Sequence, residues 1–255
     1  MLIKAKSLKG YKLNSLDGEI GNVKEFYFDD NYWTIRYLIV ETGNWLLSRE
    51  VLISPYALKS VNQEEKSISV NLTKKQIEES PPLDSDLPVS RQYEESYYGY
   101  YGYPLYWAGA YMWGPYPYIS PDSENIVEPS QKEEHWDSHL RSTMDVTDYK
   151  LQAKDGEFGH LEDFIIDDEF WTIRYLIIDT RKWWQGKKVL ISPEWIDSIS
   201  WIDGDVNVCL NKEEIKQSPE YTDETLITRD FESEIYKHYN RQCYWDTKKT
   251  DKESD

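Results

Sequence analysis

The chain has 255 residues, 39% of them hydrophobic and 15% aromatic, which is enough for two small hydrophobic cores. Its net charge of −18 disfavours nucleic acids and anionic membrane surfaces as main partners, because both are negatively charged. The two cysteines, Cys209 and Cys243, are too few for a disulfide framework. The N-terminal stretch MLIKAKSLKG lacks an apolar signal core, so we expect a cytoplasmic protein.

Most of the sequence occurs twice, at a constant offset of 138 residues. Residues 11–81 and 149–219 are identical at 31 of 71 positions without a gap. The period is far longer than the roughly 20 to 50 residues of solenoid repeats, so the chain is predicted to contain tandem domains. The predicted parts are a first domain with an aromatic arm (1–117), an acidic linker (118–138), a second domain with a helical arm (139–245) and a disordered tail (246–255).

The pattern within each repeat is typical of β-structure. Asp17-Gly18 and Asp155-Gly156 are hairpin-turn signals. The WTIRYLI segment that follows in both copies alternates with a period of two, which indicates a strand. The shorter VLIS segment of each copy ends at a proline. Five or six short strands at this spacing predict a small closed or nearly closed barrel.

Two short helices are predicted after the strands of each repeat. Thr73 and Gln76 form a capping-box pattern, which Asn211 and Glu214 repeat. A longer helix is predicted from Ser90 in the first copy and from Thr228 in the second. Four pairs stay in register along it: Arg91/Arg229, Glu94/Glu232, Tyr98/Tyr236 and Tyr101/Tyr239. Beyond the last pair we expect the two copies to diverge.

The first copy continues into a segment without charged residues, from 96 to 121, which is rich in tyrosine. Its glycines and prolines argue against a membrane span. The segment can cover its own barrel or form a self-association surface, since tyrosine and tryptophan concentrate binding energy at interfaces. We expect it to do both. The candidate interaction residues are Tyr98, Tyr101, Tyr103, Tyr106, Trp107, Tyr111 and Trp113.

Polar candidates for chemistry have simpler structural explanations. The Asp29-Asp30 pair and its second copy lie at a strand end, where a turn favours aspartate. Arg36 and Arg174, in the middle of a strand, could each bind a carboxylate of a partner. We rather expect each to pair with an acid of its own barrel, such as a strand-end aspartate, or to lie exposed with its stem on an aromatic ring.

Metal and catalytic sites are not predicted. His135 and His139 are weak metal candidates with helical spacing, but two histidines alone seldom make a closed site. No nucleophile elbow, phosphate loop, dinucleotide fingerprint or CxxC pair occurs, so no catalytic residue, cofactor or enzyme activity is predicted.

The ordered set DGEIG, DGEFG, WTIRYLI and VLISP, found twice, resembles the PRC-barrel family. That family is named for the cytoplasmic barrel of the photosynthetic reaction centre H subunit. A similar barrel forms the C-terminal domain of a ribosome maturation factor. The positions that carry the repeat are Asp17, Gly18, Gly21, Trp33 and Arg36 in the first copy, and Asp155, Gly156, Gly159, Trp171 and Arg174 in the second.

The resemblance implies a mainly β protein with two tandem small PRC-like β-barrels, each followed by short C-terminal helices or an arm. It also implies a barrel used for protein contacts, without established catalysis. We therefore expect a non-catalytic interaction or scaffold protein with unidentified protein partners. A peripheral place on a membrane complex, photosynthetic or electron-transfer-like, is compatible with this expectation, as is a homo-oligomer formed through the aromatic arm. The alternatives are a ribosome- or RNA-associated maturation factor and a metal- or small-ligand-binding protein.

Overall fold

The computed structural model describes residues 1–82, 89–107, 139–181 and 186–246. The predicted linker 118–138 and residues 247–255 of the predicted tail lie outside these ranges. The fold is mainly β with short helices, as the sequence predicted. Contacts divide the chain into two compact units: unit 1 is Met1, Ile3–Asp145 and Ile165–Arg174, and unit 2 is Leu2, Val146–Phe164 and Tyr175–Asp255.

The elements follow the same order in both repeats, except that helix α1 of the first repeat has no counterpart between β8 and β9 of the second. In the first they are β1 (Leu2–Lys4), α1 (Ala5–Leu8), β2 (Lys12–Ser15), β3 (Gly18–Asp29), β4 (Thr34–Thr42), β5 (Glu50–Ile53), β6 (Leu58–Asn62), β7 (Ser67–Val70), α2 (Lys74–Glu78) and α3 (Arg91–Tyr101). In the second they are β8 (Leu140–Ser142), β9 (Lys150–Ala153), β10 (Gly156–Asp167), β11 (Thr172–Asp179), β12 (Lys188–Ile191), β13 (Ile196–Ser200), β14 (Asp205–Val208), α4 (Lys212–Gln217) and α5 (Arg229–His238).

The sheet of the first repeat has the strand order β6-β7-β2-β3-β4-β5. Only β2 and β7 run parallel, whereas the other pairs in this order are antiparallel. The end strands β5 and β6 are joined through the 3₁₀ turn Pro55–Ala57, and the sheet is not closed by a further ladder. Of the two predicted forms, closed or nearly closed, the fully closed barrel is excluded, because the sheet is not closed.

The sheet of the second repeat has the corresponding order β13-β14-β9-β10-β11-β12. Its single parallel pair, β14 with β9, matches the pair of β7 with β2. Sequence identity at a constant offset thus corresponds to identity of topology.

The Asp-Gly turns connect the sheet to the first helix after it. Asp17 Oδ1 accepts a hydrogen bond from the Lys74 backbone at 2.8 Å, and Asp155 Oδ1 accepts from the Lys212 backbone at 2.9 Å. This bond is the main reason why the pKa of Asp17 is lowered. Both predicted capping boxes are present, at the N-termini of α2 and α4. The repeated aspartates therefore serve the fold.

Helix α3 packs against strand β4 of the first repeat. The aromatic rings of Tyr97 and Tyr98 pack against Tyr37 of β4, in a core cluster that also contains Leu52 and Tyr106. Tyr97 Oη donates to the Leu52 carbonyl and accepts from the Ser54 backbone, both at 3.0 Å. Because α3 covers one face and the sheet's own core the other, all of β4 except Glu41 is buried. The period of two in this strand therefore does not separate a wet face from a dry one.

Candidate functional site

The mid-strand arginines pair with the strand-end aspartates. Arg36 Nη2 lies 3.0 Å from Asp29 Oδ2, with 0% of the arginine side chain and 3% of the aspartate side chain exposed. The corresponding distance between Arg174 and Asp167 is 3.1 Å, with 10% of each side chain exposed. A buried charge is tolerated only when it is paired and hydrogen-bonded. These arginines are therefore held inside the fold and do not face a carboxylate of a partner.

The same aspartates also organise the turns that follow them. Asp29 Oδ1 accepts from the Asn31 backbone at 2.9 Å, and Asp167 Oδ1 accepts from the Glu169 backbone at 3.1 Å. Each turn ends at a tryptophan with a left-handed backbone, at φ 54° for Trp33 and 53° for Trp171. The structure therefore explains the first aspartate of the pair in both copies as a turn residue.

The second acid of the first pair has other partners within unit 1. Asp30 Oδ2 accepts from Arg141 Nε at 2.9 Å, and Asp30 Oδ1 lies 3.4 Å from His139 Nδ1. Burial raises the pKa of Asp30, although the hydrogen bond from Arg141 acts in the opposite direction. His135, the other weak metal candidate, lies outside the described residues. In the described ranges no three His, Cys, Asp or Glu side chains come together in a way that could hold a metal ion.

A buried glutamate on α3 is the centre of the largest polar cluster in unit 1. Glu94 Oε1 accepts from Tyr106 Oη at 2.7 Å and from Tyr37 Oη at 3.0 Å. Its other oxygen accepts from Arg91 Nη1 at 3.1 Å, and Arg91 also donates to Tyr106 Oη. The guanidinium of Arg91 lies 4.3 Å from the centre of the Trp107 ring. We call these five residues, Tyr37, Arg91, Glu94, Tyr106 and Trp107, the Glu94 cluster.

The second repeat contains the same cluster, residue for residue, in unit 2. Glu232 Oε1 accepts from Tyr175 Oη at 2.9 Å and from Tyr244 Oη at 3.0 Å. Arg229 Nη1 donates to Glu232 Oε2 at 3.0 Å, and its guanidinium lies 4.5 Å from the Trp245 ring centre. We call the five residues Tyr175, Arg229, Glu232, Tyr244 and Trp245 the Glu232 cluster. Every member is 138 residues from its counterpart.

These clusters correct the prediction that the copies diverge after Tyr101 and Tyr239. The common structure continues to Trp107 and Trp245. The linking segments GYPL and NRQC share no residue, but both begin with a left-handed residue that turns the chain back, Gly102 at φ 67° and Asn240 at φ 51°. The Tyr-Trp dipeptide, which occurs in both copies at the constant offset of 138, could have indicated this continuation from the sequence.

The buried position of the Glu94 cluster changes its acid–base properties. Burial raises the pKa of Glu94, although the hydrogen bond from Tyr106 and the charge of Arg91 act in the opposite direction. Burial also raises the pKa of Tyr37 well above its ordinary value. The hydroxyls of Tyr37 and Tyr106 and the Nη1 group of Arg91 all donate within the cluster. The arrangement therefore fastens the start of the arm to α3 and β4.

The candidate interaction residues fall into three groups. Tyr98 and Tyr106 are buried in the core cluster of unit 1, so their rings are not available to a partner. Partly buried side chains packed against that cluster are those of Tyr101, Tyr103 and Trp107. Tyr111 and Trp113 lie outside the described residues. The arm up to Trp107 thus packs on its own chain, and its predicted role in self-association stays a prediction.

The remaining repeat glycines serve close packing. A Cβ atom on Gly21 would lie 2.0 Å from the Glu41 carbonyl oxygen, so only glycine fits between β3 and β4 there. Gly159 occupies the same place in the second repeat, with φ at +155°. Gly18 and Gly156 begin β3 and β10 with positive φ.

Together these features define a mainly β protein made of two copies of one module, each an open sheet in which β4 or β11 is covered by a helix and a short arm. The family model of the PRC-barrel domain matches residues 2–77. The match agrees with the resemblance that the repeated segments indicated. A comparison with curated proteins finds no match to the chain. No helix of the described part is long and apolar enough to cross a membrane.

Proposed function

We propose that this chain is a non-catalytic scaffold, in which two modules share one frame and present different contact surfaces to protein partners. The PRC-barrel domain is in general a non-catalytic interaction module. The proposal adds that the two modules divide their contacts between them.

One observation carries the proposal: large exposed apolar side chains occur where the other copy has a polar residue. Leu47 is 94% exposed and its counterpart is Gln185; Leu16 is 60% exposed and its counterpart is Lys154. In the second copy Ile202 is 99% exposed, whereas the first copy has Glu64 at that position. Residues that build the clusters are shared, whereas these three exposed positions differ between the copies. This division is expected when the shared residues maintain the fold and the others select partners.

The loop that carries Leu47 supports a contact role in unit 1. Leu47 and Ser48 both have left-handed backbones, at φ 55° and 56°. Such a conformation costs roughly 1 kcal/mol or more for a residue other than glycine. Trp45 anchors the loop by donating from Nε1 to the Ile20 carbonyl at 2.6 Å, and Lys74 Nζ lies 5.3 Å from the tryptophan ring centre. The loop thus holds an exposed leucine in a fixed place.

The test is affinity capture with matched variants of the full chain. The bait is presented to both soluble extract and detergent-solubilised membranes of the native host, because the family resemblance includes a subunit of a membrane complex. Proteins retained by the wild type are then purified, and their binding is measured by calorimetry. We expect Leu16→Ser/Leu47→Ser to lose one set of partners and Ile202→Ser to lose another.

The control variants Lys154→Ser and Glu64→Ser replace the polar counterparts and should retain both sets. If no purified protein binds, or if the surface variants bind as the controls do, the proposal fails. Enzyme-like turnover of a substrate by the purified chain would also overturn it.

A further inference from the structure

Unit 1 contains an open cleft along the terminal strand of its sheet. The cleft has a volume of about 480 Å³. One wall is formed by Tyr56 and by residues 58–61 of β6, and the other by Asp168, Glu169 and Trp171. All of these residues belong to unit 1. We call it the β6 cleft.

Strand β6, which lines this cleft, is the last strand in the order of the sheet. Among the described residues it pairs with β7 and with no other strand. Its middle residues, Lys59 and Ser60, are exposed. Edge strands present backbone donors and acceptors that can pair with an added strand, and extended peptides bind in this way at exposed sheet edges.

The size of the cleft suits a short extended segment. A strand residue occupies roughly 160 Å³, from a rise of about 3.3 Å, a strand spacing of about 4.8 Å and a sheet separation of about 10 Å. The β6 cleft therefore has room for about three residues. The part of β6 that lines it is four residues long, so a segment of about three residues would pair with most of it.

The charges of the walls favour a basic side chain in that segment. Asp168 and Glu169 lie together on the wall opposite β6. The carboxylate of Asp168 accepts a hydrogen bond from the amino group of Met1, so the exposed Glu169 is the acid that a ligand would meet. Tyr56 and Trp171 supply aromatic surface beside it, which suits the aliphatic stem of a lysine or arginine.

The counterparts in the other copy carry different charges. Glu169 corresponds to Asn31, and Lys59 corresponds to Asp197. Asp168 corresponds to Asp30, whose carboxylate accepts from Arg141 at 2.9 Å. Strand β6 belongs to the first copy and Glu169 to the second, so the combination of this edge strand with an exposed acid opposite it is a property of the β6 cleft that the counterpart residues do not repeat.

We propose that the β6 cleft binds an extended segment of a partner protein, which adds to β6 as a strand and places a lysine or arginine side chain against Glu169. This inference rests on the proposed interaction function and gives it one specific surface. β-branched or aromatic residues next to the basic residue would pack on Tyr56 and Trp171.

A phage-displayed library of random heptapeptides, selected on the full-length chain, tests this directly. We expect enriched sequences to carry lysine or arginine between β-branched or aromatic residues. The most enriched peptide is then synthesised, and its binding is measured by fluorescence anisotropy, together with a twin whose central amides are N-methylated and cannot pair with a strand.

Matched variants locate the site. Ser60→Trp, which fills the cleft from an exposed position, should weaken binding by about tenfold or more, whereas Ser198→Trp at the same place in the second copy should not. Glu169→Lys should weaken binding about threefold to fivefold, and Asn31→Lys should leave it unchanged. The N-methylated twin should bind about tenfold more weakly to the wild type.

The inference is overturned if no sequence is enriched, if the twin binds the wild type as tightly as the parent peptide does, or if Ser60→Trp binds the parent peptide as tightly as the wild type does. A peptide that prefers Glu169→Lys would overturn the charge assignment. If a partner obtained by capture binds Ser60→Trp as tightly as the wild type, the β6 cleft is not its site but the proposed function stands. If no partner is captured at all, the proposed function itself fails.

Discussion

The two glutamate clusters contain the same hydrogen bonds but differ in how completely they are enclosed. Tyr106 is 2% exposed, and its ring centre lies 4.0 Å from the Arg36 guanidinium, whereas Tyr244 is only partly buried. Arg91 exposes 35% of its side chain and Arg229 exposes 61%. The aromatic residues around the first cluster explain the difference, since Tyr97 and Tyr103 correspond to Ile235 and Arg241. The residues that the copies share thus determine the hydrogen bonds of each cluster, and the aromatic residues that they do not share determine how deeply the cluster is buried.

Substitution of Gly21 or Gly159, where the two long strands of each repeat approach each other closely, should show the largest difference in stability loss between the copies. In Gly21→Ala the new Cβ would meet the Glu41 backbone, which cannot move without breaking the ladder, so we expect a loss of about 4 kcal/mol or more in the free energy of unfolding. In Gly159→Ala the nearest atom is Ile178 Cγ2 at 2.8 Å, a side-chain end that can shift, and we expect about 2 to 3 kcal/mol.

Urea unfolding, with hydrogen exchange to assign the loss to a repeat, measures both glycine variants. Gly43→Ala is the control, because open space surrounds that glycine. Equal losses for Gly21→Ala and Gly159→Ala would contradict this account of the close approach.

The second largest difference in stability loss between the copies is expected for the ion pairs Arg36–Asp29 and Arg174–Asp167. Asp29→Ala leaves the guanidinium of Arg36 without its carboxylate at a fully buried site, and breaking such a pair costs about 3 to 5 kcal/mol. Asp167→Ala should cost about 2 kcal/mol, because Arg174 is partly exposed and can reach water. Thermal unfolding of each variant, compared with Asp29→Asn and Asp167→Asn, separates loss of charge from loss of the turn hydrogen bond. An Asp167→Ala loss as large as that of Asp29→Ala would show that burial does not set the difference.

The sequence was sufficient to predict the secondary-structure elements and their local contacts, but not which residues are buried together in the folded chain. Both capping boxes, both long helices and the pairing of the mid-strand arginines with strand-end aspartates were readable, because each depends on neighbours a few residues apart. The Glu94 cluster joins Tyr37 to Glu94, 57 positions later, and such a contact has no local pattern. Whether the sheet is fully closed could not be predicted from the sequence either, since the spacing of strands along the chain is the same for closed and open sheets.

The pH dependence of stability should distinguish Glu94 from a neutral residue. Because burial raises its pKa above the ordinary value of a glutamate, the folded state keeps a proton that the unfolded chain releases. This contribution is fully present below the pKa of the unfolded chain and is lost as the pH rises through the folded-state pKa. The stability of the wild type relative to Glu94→Gln should therefore fall between about pH 5 and about pH 7.5.

Urea titrations across that range give the difference between the wild type and Glu94→Gln. Ser96→Ala, on the exposed side of the same helix, is the control for effects of substitution without a change of charge. A constant difference between the wild type and Glu94→Gln at all pH values would mean that the proton of Glu94 is not linked to folding.

The smallest effect concerns an ion pair whose charges are exchanged between the copies. Lys24 of β3 pairs with Glu50 of β5, whereas Glu162 of β10 pairs with Lys188 of β12 at 2.8 Å. The sheet positions are the same, so the double variant Lys24→Glu/Glu50→Lys should be as stable as the wild type. Each single variant places like charges together and should lose about 0.5 to 1 kcal/mol.

The reverse exchange, Glu162→Lys/Lys188→Glu, should be tolerated less well. Lys188 Nζ also lies 3.6 Å from Asp223, and a glutamate at position 188 would face that acid. Double-mutant cycles by thermal unfolding at low and at 0.5 M salt measure both pairs, and the single-variant losses should shrink at high salt because ions screen partly exposed charges. If the first exchange restored no stability, the two repeats could not be treated as interchangeable frames at this position.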